Sequence, residues 1–149
     1  MACGIMINGK FYWNIDAHVG PGRANRTDDV QLVQLGYFCM AQGLKAPLAP
    51  EEREAYGAVV PGAPYTGSPS DPLSNAIRVH EKFRGGTQDG VVSPIQNSTG
   101  RYSSKAWIMI PLDNNVADSL GDDWPHLNRH PQCPNALAET VVRVLTPFG

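Results

Sequence analysis

Asp28-Asp29-Val30-Gln31-Leu32-Val33-Gln34 is the stretch on which the reading of this chain turns. Just before it, Asn25-Arg26-Thr27 offers helix N-cap side chains, and Asp28 and Asp29 place negative charge at the positive end of a helix dipole. Val30, Val33, Tyr37 and Ala41 then recur at i, i+3, i+7 and i+11, one apolar stripe of a helix. Gly36 is expected to weaken the middle of that helix and Gly43 to stop it.

Further along, a second segment has the same character. Ser70 or Asp71 caps it and Pro72 occupies its first turn, the one helical place that needs no amide hydrogen. Leu73, Ala76, Ile77 and His80 share a face, Phe83 lies one turn on, and Gly85-Gly86 ends the helix. Asp89-Gly90 is a turn dipeptide that leads into Val91-Val92 and Pro94. Val30, Val33, Ile77 and Val91 are expected to meet in one apolar centre.

The flanking regions are read from the same signals. Ile5 to Ile15, with Phe11-Tyr12-Trp13, alternates as extended chain, with a weak hairpin signal at Gly9-Lys10. Val19-Gly20-Pro21-Gly22 and Ser98-Thr99-Gly100 are loops. Residues 43–72 carry Pro47, Pro50, Pro61, Pro64, Pro69 and Pro72, and only Pro50 to Tyr56 suits a short helix. A connection of that length is either functional or a drape over the core. Ala106-Trp107-Ile108-Met109-Ile110, stopped by Pro111, reads as a buried strand. Asp113 to Pro134 reads as irregular. Asn135 to Leu145 starts like a capped helix but continues with β-branched residues, and both readings stay open.

Composition bounds the rest. With 149 residues, 42% of them apolar, the chain has material for a core, and one domain is expected over 1–149. Charged residues are only 17%, and 15 glycines with 13 prolines point to long irregular connections. A net charge of −2 gives no basic footprint for nucleic acid and no pull toward an anionic membrane surface. No apolar run approaches membrane-spanning length, and no secretory leader pattern is visible at the N-terminus. Cys3, Cys39 and Cys133 are an odd, widely spaced set that suggests free thiols, with one disulfide plus a free thiol as the alternative.

Two blocks of these residues carry a family pattern. Val19-Gly20-x-Gly22-x-x-Asn25-x-x-x-Asp29-Val30-x-x-Val33-Gln34 is one. Leu73-x-x-Ala76-Ile77 followed by Gly85-x-x-x-Asp89-Gly90-Val91-Val92-x-Pro94 is the other. In them the chain resembles the peptidoglycan-binding-like domain, a three-helix module of cell-wall hydrolases, phage lysins and contractile injection system effectors. The resemblance implies an α+β fold: a small helical core over 17–42 and 71–96, an insertion at 43–70, and an extension at 97–149. There are departures. His80-Glu81 stands where the family has a Phe-Gln pair, with Phe83 a candidate to replace the missing aromatic. The family's first Asp-Gly turn, expected soon after the first helix, gives way to the proline-rich stretch.

The residues themselves offer few catalytic patterns. His126-x-x-x-His130-x-x-Cys133 is the one short cluster of metal-ligand types, but prolines around it oppose a helix and no fourth ligand is evident. Asp122-Asp123 with Asp113 or Asp118 offers carboxylates of the type that pair for glycan hydrolysis, but adjacent aspartates on a loop point apart more often than together. No Gly-x-Ser-x-Gly elbow is present. His18 and His80 read as surface or packing residues. Trp107 reads as core, and Trp124, set among acids and prolines, as the exposed aromatic for a sugar ring, while Tyr12 and Trp13 are further aromatics of the right type.

The expectation is therefore a non-catalytic, cofactor-free module that binds peptidoglycan or a related bacterial glycan. Asn25, Asp29, Gln34, Asp89 and Trp124 are the expected ligand-binding residues. Such a module is expected to be made in a bacterial cytoplasm and to act at the cell envelope or outside it, carried in a phage-like or injection particle. The alternative is a structural subunit of a tail, spike or filament, which uses its low charge and long loops to associate with itself.

Overall fold

The computed structural model describes residues 1–43, 47–96 and 107–146. Among these are five α-helices and a two-stranded sheet, an α+β fold. The expected loop at Ser98-Thr99-Gly100 lies outside the described residues, as does Ala106.

Strands β1 (Cys3–Ile7) and β2 (Lys10–Asn14) pair antiparallel, with Ile7 opposite Lys10. The turn is Asn8-Gly9, one residue earlier than expected. Both residues have positive φ, 51° and 77°, which is the two-residue geometry that matches the right-handed twist of a hairpin.

Helix α1 (Thr27–Gln42) runs through the centre of the molecule. It is buried well beyond the expected stripe: Leu32, Leu35, Cys39 and Met40 are covered along with Val30, Val33 and Tyr37. The reason is that α2 (Pro50–Gly57), α4 (Met109–Leu120) and α5 (Asn135–Leu145) all pack on it. Gly36 is the point of closest approach to α4. A Cβ there would stand 2.8 Å from the Cβ of Leu112, so the absent side chain lets two helices cross tightly. That outweighs its poor helix propensity.

The proline-rich segment is part of the core. Ala55, Tyr56 and Val59 are buried, and α2 lies between α1 and α3 (Pro72–Arg84). Tyr37 of α1, Tyr56 of α2 and His80 of α3 form a ring cluster with centroids 5.3–5.8 Å apart. His80 is thus part of a buried ring cluster, while Phe83 stays 46% exposed and does not reach in. The Asp71 carboxylate caps α3 by accepting the Leu73 amide, and Gly85 closes it in the left-handed conformation.

The expected strand before Pro111 is instead the start of α4. Pro111 is the third residue of that helix, where its missing N–H is not needed and a proline is tolerated. Met109, Leu112 and Val116 then share the buried face. The region expected to be irregular from Asp113 is therefore helical to Leu120, and two 3₁₀ turns follow at Gly121–Asp123 and Leu127–Arg129. Asn135 to Leu145 resolves as a helix because Leu137, Thr140 and Val141 fall on one buried face. Val30, Val33 and Ile77 are each buried in the core, with α2 packed between their two helices; Val92, bridged to Val19, takes the buried place expected for Val91.

One apolar cluster links Ala2 to Val141, so the two blocks, the stretch between them and α5 share a core. All three cysteines are free thiols. Among the described residues no helix is long and apolar enough to cross a membrane.

Candidate functional site

Most of the residues expected to bind ligand hold the fold together. Asp29 is fully buried; its two oxygens accept the amides of Asp16 and Ala17, 3.2 and 3.1 Å away, and do not cap α1. Burial pushes its carboxyl up, and those amides oppose the shift. Its neighbour Asp28 accepts the Ala2 amide and the Thr140 hydroxyl, joining the N-terminal strand, α1 and α5. Gln34 is 2% exposed; it donates to the Ala63 carbonyl and accepts the Gly62 amide, clipping the proline-rich segment to α1. Asn25, at φ 49°, exchanges two hydrogen bonds with the Gly20 backbone and also donates to the Arg23 carbonyl. Trp124 is half-buried and meets Phe11 edge-on at 6.5 Å. These groups have completed their hydrogen bonds or contacts within the chain.

Asp89 differs. It stands on the rim of an open, polar cleft of about 380 Å³, lined by Glu81, Arg84, Thr87, Asp89, Ser93 and Trp107 among others. The last turn of α3 supplies Glu81 and Arg84. The chain leaving Gly85 supplies Thr87 through Ser93, and the approach to α4 supplies Trp107 and Ile108. Trp107, expected in the core, is half-buried and walls this cleft.

At its floor the Glu81 carboxylate accepts the Gly90 amide at 2.8 Å, and Asp89 Oδ1 accepts the Val91 amide at 2.9 Å. Glu81 and Asp89 also share a side-chain hydrogen bond. Burial pushes the Glu81 carboxyl up to about 7, with the side-chain bond to Asp89 and that group's charge adding to the shift and the Gly90 and Asp89 amides opposing it. The Glu81 carboxyl thus holds a proton closer to neutral pH than an exposed carboxylate would. Arg84 stands on the cleft wall, and its charge acts on Tyr37, Tyr56 and His80.

A second cavity, of about 410 Å³, brings Cys39 of α1 and Ser119 of α4 to His130. Nε2 of His130 is 3.0 Å from the Ser119 hydroxyl and 3.6 Å from the Cys39 sulfur. This has the residue types of a nucleophile and its base, but the protons are in the wrong places. The Gln132 amide donates to Nδ1, so the neutral ring carries its hydrogen on Nε2 and has no lone pair there to accept one. Burial also pushes the Cys39 thiol up to about 11, away from the reactive thiolate. The candidate trio His126, His130 and Cys133 is arranged differently. His126 and His130 flank a 3₁₀ turn rather than sharing an α-helical face, Cys133 bonds the Pro134 carbonyl, and the described residues hold no group of three potential metal ligands. Asp123 pairs with Arg129 rather than with another carboxylate.

Sequence reasoning therefore missed Glu81, Arg84, Thr87, Ser93 and Trp107. A signal was present for one of them: an acid at position 81, where the resembling family has an amide, was visible as a departure and carries the unusual proton. No protein-family model, curated protein or solved structure matches this chain.

Proposed function

We propose that the chain is a non-catalytic glycan-binding module with a peptidoglycan-binding-like helical core, acting on bacterial cell wall from within a phage-like or injection particle. Its binding site is the Glu81–Asp89–Trp107 cleft. The observation that carries this reading is an indole wall beside paired carboxyl and hydroxyl groups in one open cleft. A sugar needs both: an aromatic face for its C–H side and fixed polar groups for its hydroxyls. The cleft volume falls within the roughly 300–1,000 Å³ of small-molecule sites. The Cys39–His130 cavity, whose imidazole points a proton at the sulfur, supports leaving catalysis out of the reading.

Retention on purified peptidoglycan sacculi tests it. The chain is expected to co-sediment with sacculi, and Trp107→Ala, checked for folding by circular dichroism, is expected to abolish most of that retention. Absence of co-sedimentation at low salt would remove the reading.

A specific observation favours a second reading, a self-associating structural subunit. Val142 is half-exposed in a groove of about 720 Å³ on α5, beside Ala138 and Thr146. Size-exclusion chromatography with negative-stain microscopy separates the two, since a stable monomer would count against assembly.

A further inference from the structure

We propose that the outward face of α5 docks on the same face of a second copy of this chain, antiparallel across a two-fold axis. The proposal rests on the self-association reading and makes it specific: it names the partner surface, the register and a closed dimer as the product.

α5 has more apolar surface than its own chain covers. Leu137, Thr140 and Val141 are buried where the helix packs on α1. On the other side Ala138, Val142 and Thr146 follow one another at four-residue steps, the spacing of a helix ridge, along the groove of about 720 Å³. Val142 leaves half its surface in water there. A β-branched side chain gives up rotamer freedom in a helix, and on a free surface it gains no contacts in return.

Charge identifies the occupant. Glu139 and Arg143 line the same groove, exposed and four residues apart. An acid placed four residues before a base is the favourable order for a pair within one helix. Yet among the described residues neither has an ion-pair partner, each other included. Opposite charges thus stand open on one face, which makes that face its own complement. In a two-fold contact, if residue i meets j then j meets i. An antiparallel pairing centred at the level of residue 141 sets Glu139 of each copy opposite Arg143 of the other, so one contact forms two ion pairs. Val142 lies one residue from that centre, a rise of about 1.5 Å, so the two Val142 side chains meet beside the axis and leave water together. A parallel pairing would bring like charges level with each other, and a partner of a single charge sign would satisfy only one of the two groups.

A contact made by one helix face falls at the small end of specific interfaces, below about 1,200 Å², so the pairing is weak and reversible. Being two-fold, it closes at two copies and does not run on into a filament.

Sedimentation analysis of the whole chain, at concentrations from about 10 μM to 1 mM, tests the proposal. The expected result is a monomer–dimer equilibrium without larger species, weakened by added salt. Glu139→Arg and Arg143→Glu each create two like-charge contacts, and each is expected to weaken dimerisation about tenfold or more. Mixing the two variants in equal amounts is expected to restore it, because every contact in the mixed pair is again between opposite charges. An effect confined to one helix would not be rescued by a second chain. Val142→Asp, at an exposed position, is expected to abolish the dimer and leave the circular dichroism spectrum unchanged. Larger assemblies indifferent to these substitutions would overturn the proposal while the self-association reading stands. Dimers that neither reversal weakens, or that mixing fails to rescue, overturn it too. A monomer at every concentration overturns both. Loss of stability in Val142→Asp would then mean that the groove is filled from within the chain, and unchanged stability that the face belongs to a different partner.

Discussion

Asp29 and Glu81 are both acidic residues buried in helices, and they do opposite things. Asp29 accepts two backbone amides and so fixes the chain entering α1. Glu81 is held by the Gly90 and Asp89 amides, and it also faces the side chain of another acid at the edge of open space. The same contrast separates Gln34, which clips two backbone groups, from Asp89 on the cleft rim. A buried polar residue with all its hydrogen bonds made inside the chain belongs to the scaffold. One left with unfinished business in a cavity is where a ligand can be recognised.

The largest effect should come from the scaffold side. Asp29→Ala orphans two amides at a buried corner and is expected to lower stability by about 4 kcal/mol, measured by urea unfolding. Where the variant still folds, its retention on sacculi is expected to persist. Loss of binding with unchanged stability would reverse the comparison.

His80 sharpens it through pH. Burial holds the imidazole down to about 4, so the folded chain keeps it neutral while the unfolded chain protonates it near 6.5. Stability linked to this residue is complete above pH 6.5 and lost as pH falls toward 4, by about 3 kcal/mol in all. His80→Phe should flatten that slope in thermal melts, although the Tyr37 hydroxyl loses its 2.9 Å partner.

Asp113 tests an intermediate case, buried like Asp29 but with far weaker support from its neighbours. Neither carboxyl oxygen has a partner within hydrogen-bonding geometry. Burial pushes the group well above the usual carboxylate range, with the Trp13 amide and the Lys10 ammonium opposing weakly. Its folded pKa lies above its unfolded one, so it subtracts stability as pH rises past about 4. Asp113→Asn is expected to raise stability at pH 7 by about 1 kcal/mol or more, and to gain little at pH 4.

The smallest effect on stability should come from the rim. Asp89→Asn is expected to change unfolding by less than about 0.5 kcal/mol, while weakening retention on sacculi. A large stability change here would place Asp89 with the scaffold.

Much of the scaffold was legible because its signals are local. Asp71-Pro72 and Gly85 bracket α3, a hairpin was expected near Gly9 though one residue late, and Pro50 with Glu51 and Glu52 opens α2. Where a local pattern has two physical outcomes, the reading failed. Trp107-Ile108-Met109-Ile110-Pro111 suits a buried strand stopped by proline as well as a helix whose first turn contains it; the choice was made by packing Leu112 against Gly36, far away in sequence. The site was harder still. Asn25, Asp29 and Gln34 carry the residue types of a binding surface, and nothing in a linear pattern tells whether their partners are ligand or backbone. Glu81 and Trp107 meet only through the third dimension.

The short bridge between Val19 and Val92 has a consequence for how the cleft would meet a guest. Two backbone hydrogen bonds join these residues, and His18 Nδ1 contacts the Ser93 hydroxyl. At Gly20 an added Cβ would lie 2.5 Å from the Gly90 oxygen and 2.9 Å from the Val91 Cα, so the two segments sit as close as backbone allows. The wall that carries Asp89 and Ser93 is braced from behind before anything arrives. A receptor built this way has little motion left to surrender on association, so recognition should resemble a key entering a fixed lock, with fast, weakly temperature-dependent capture rather than slow closure.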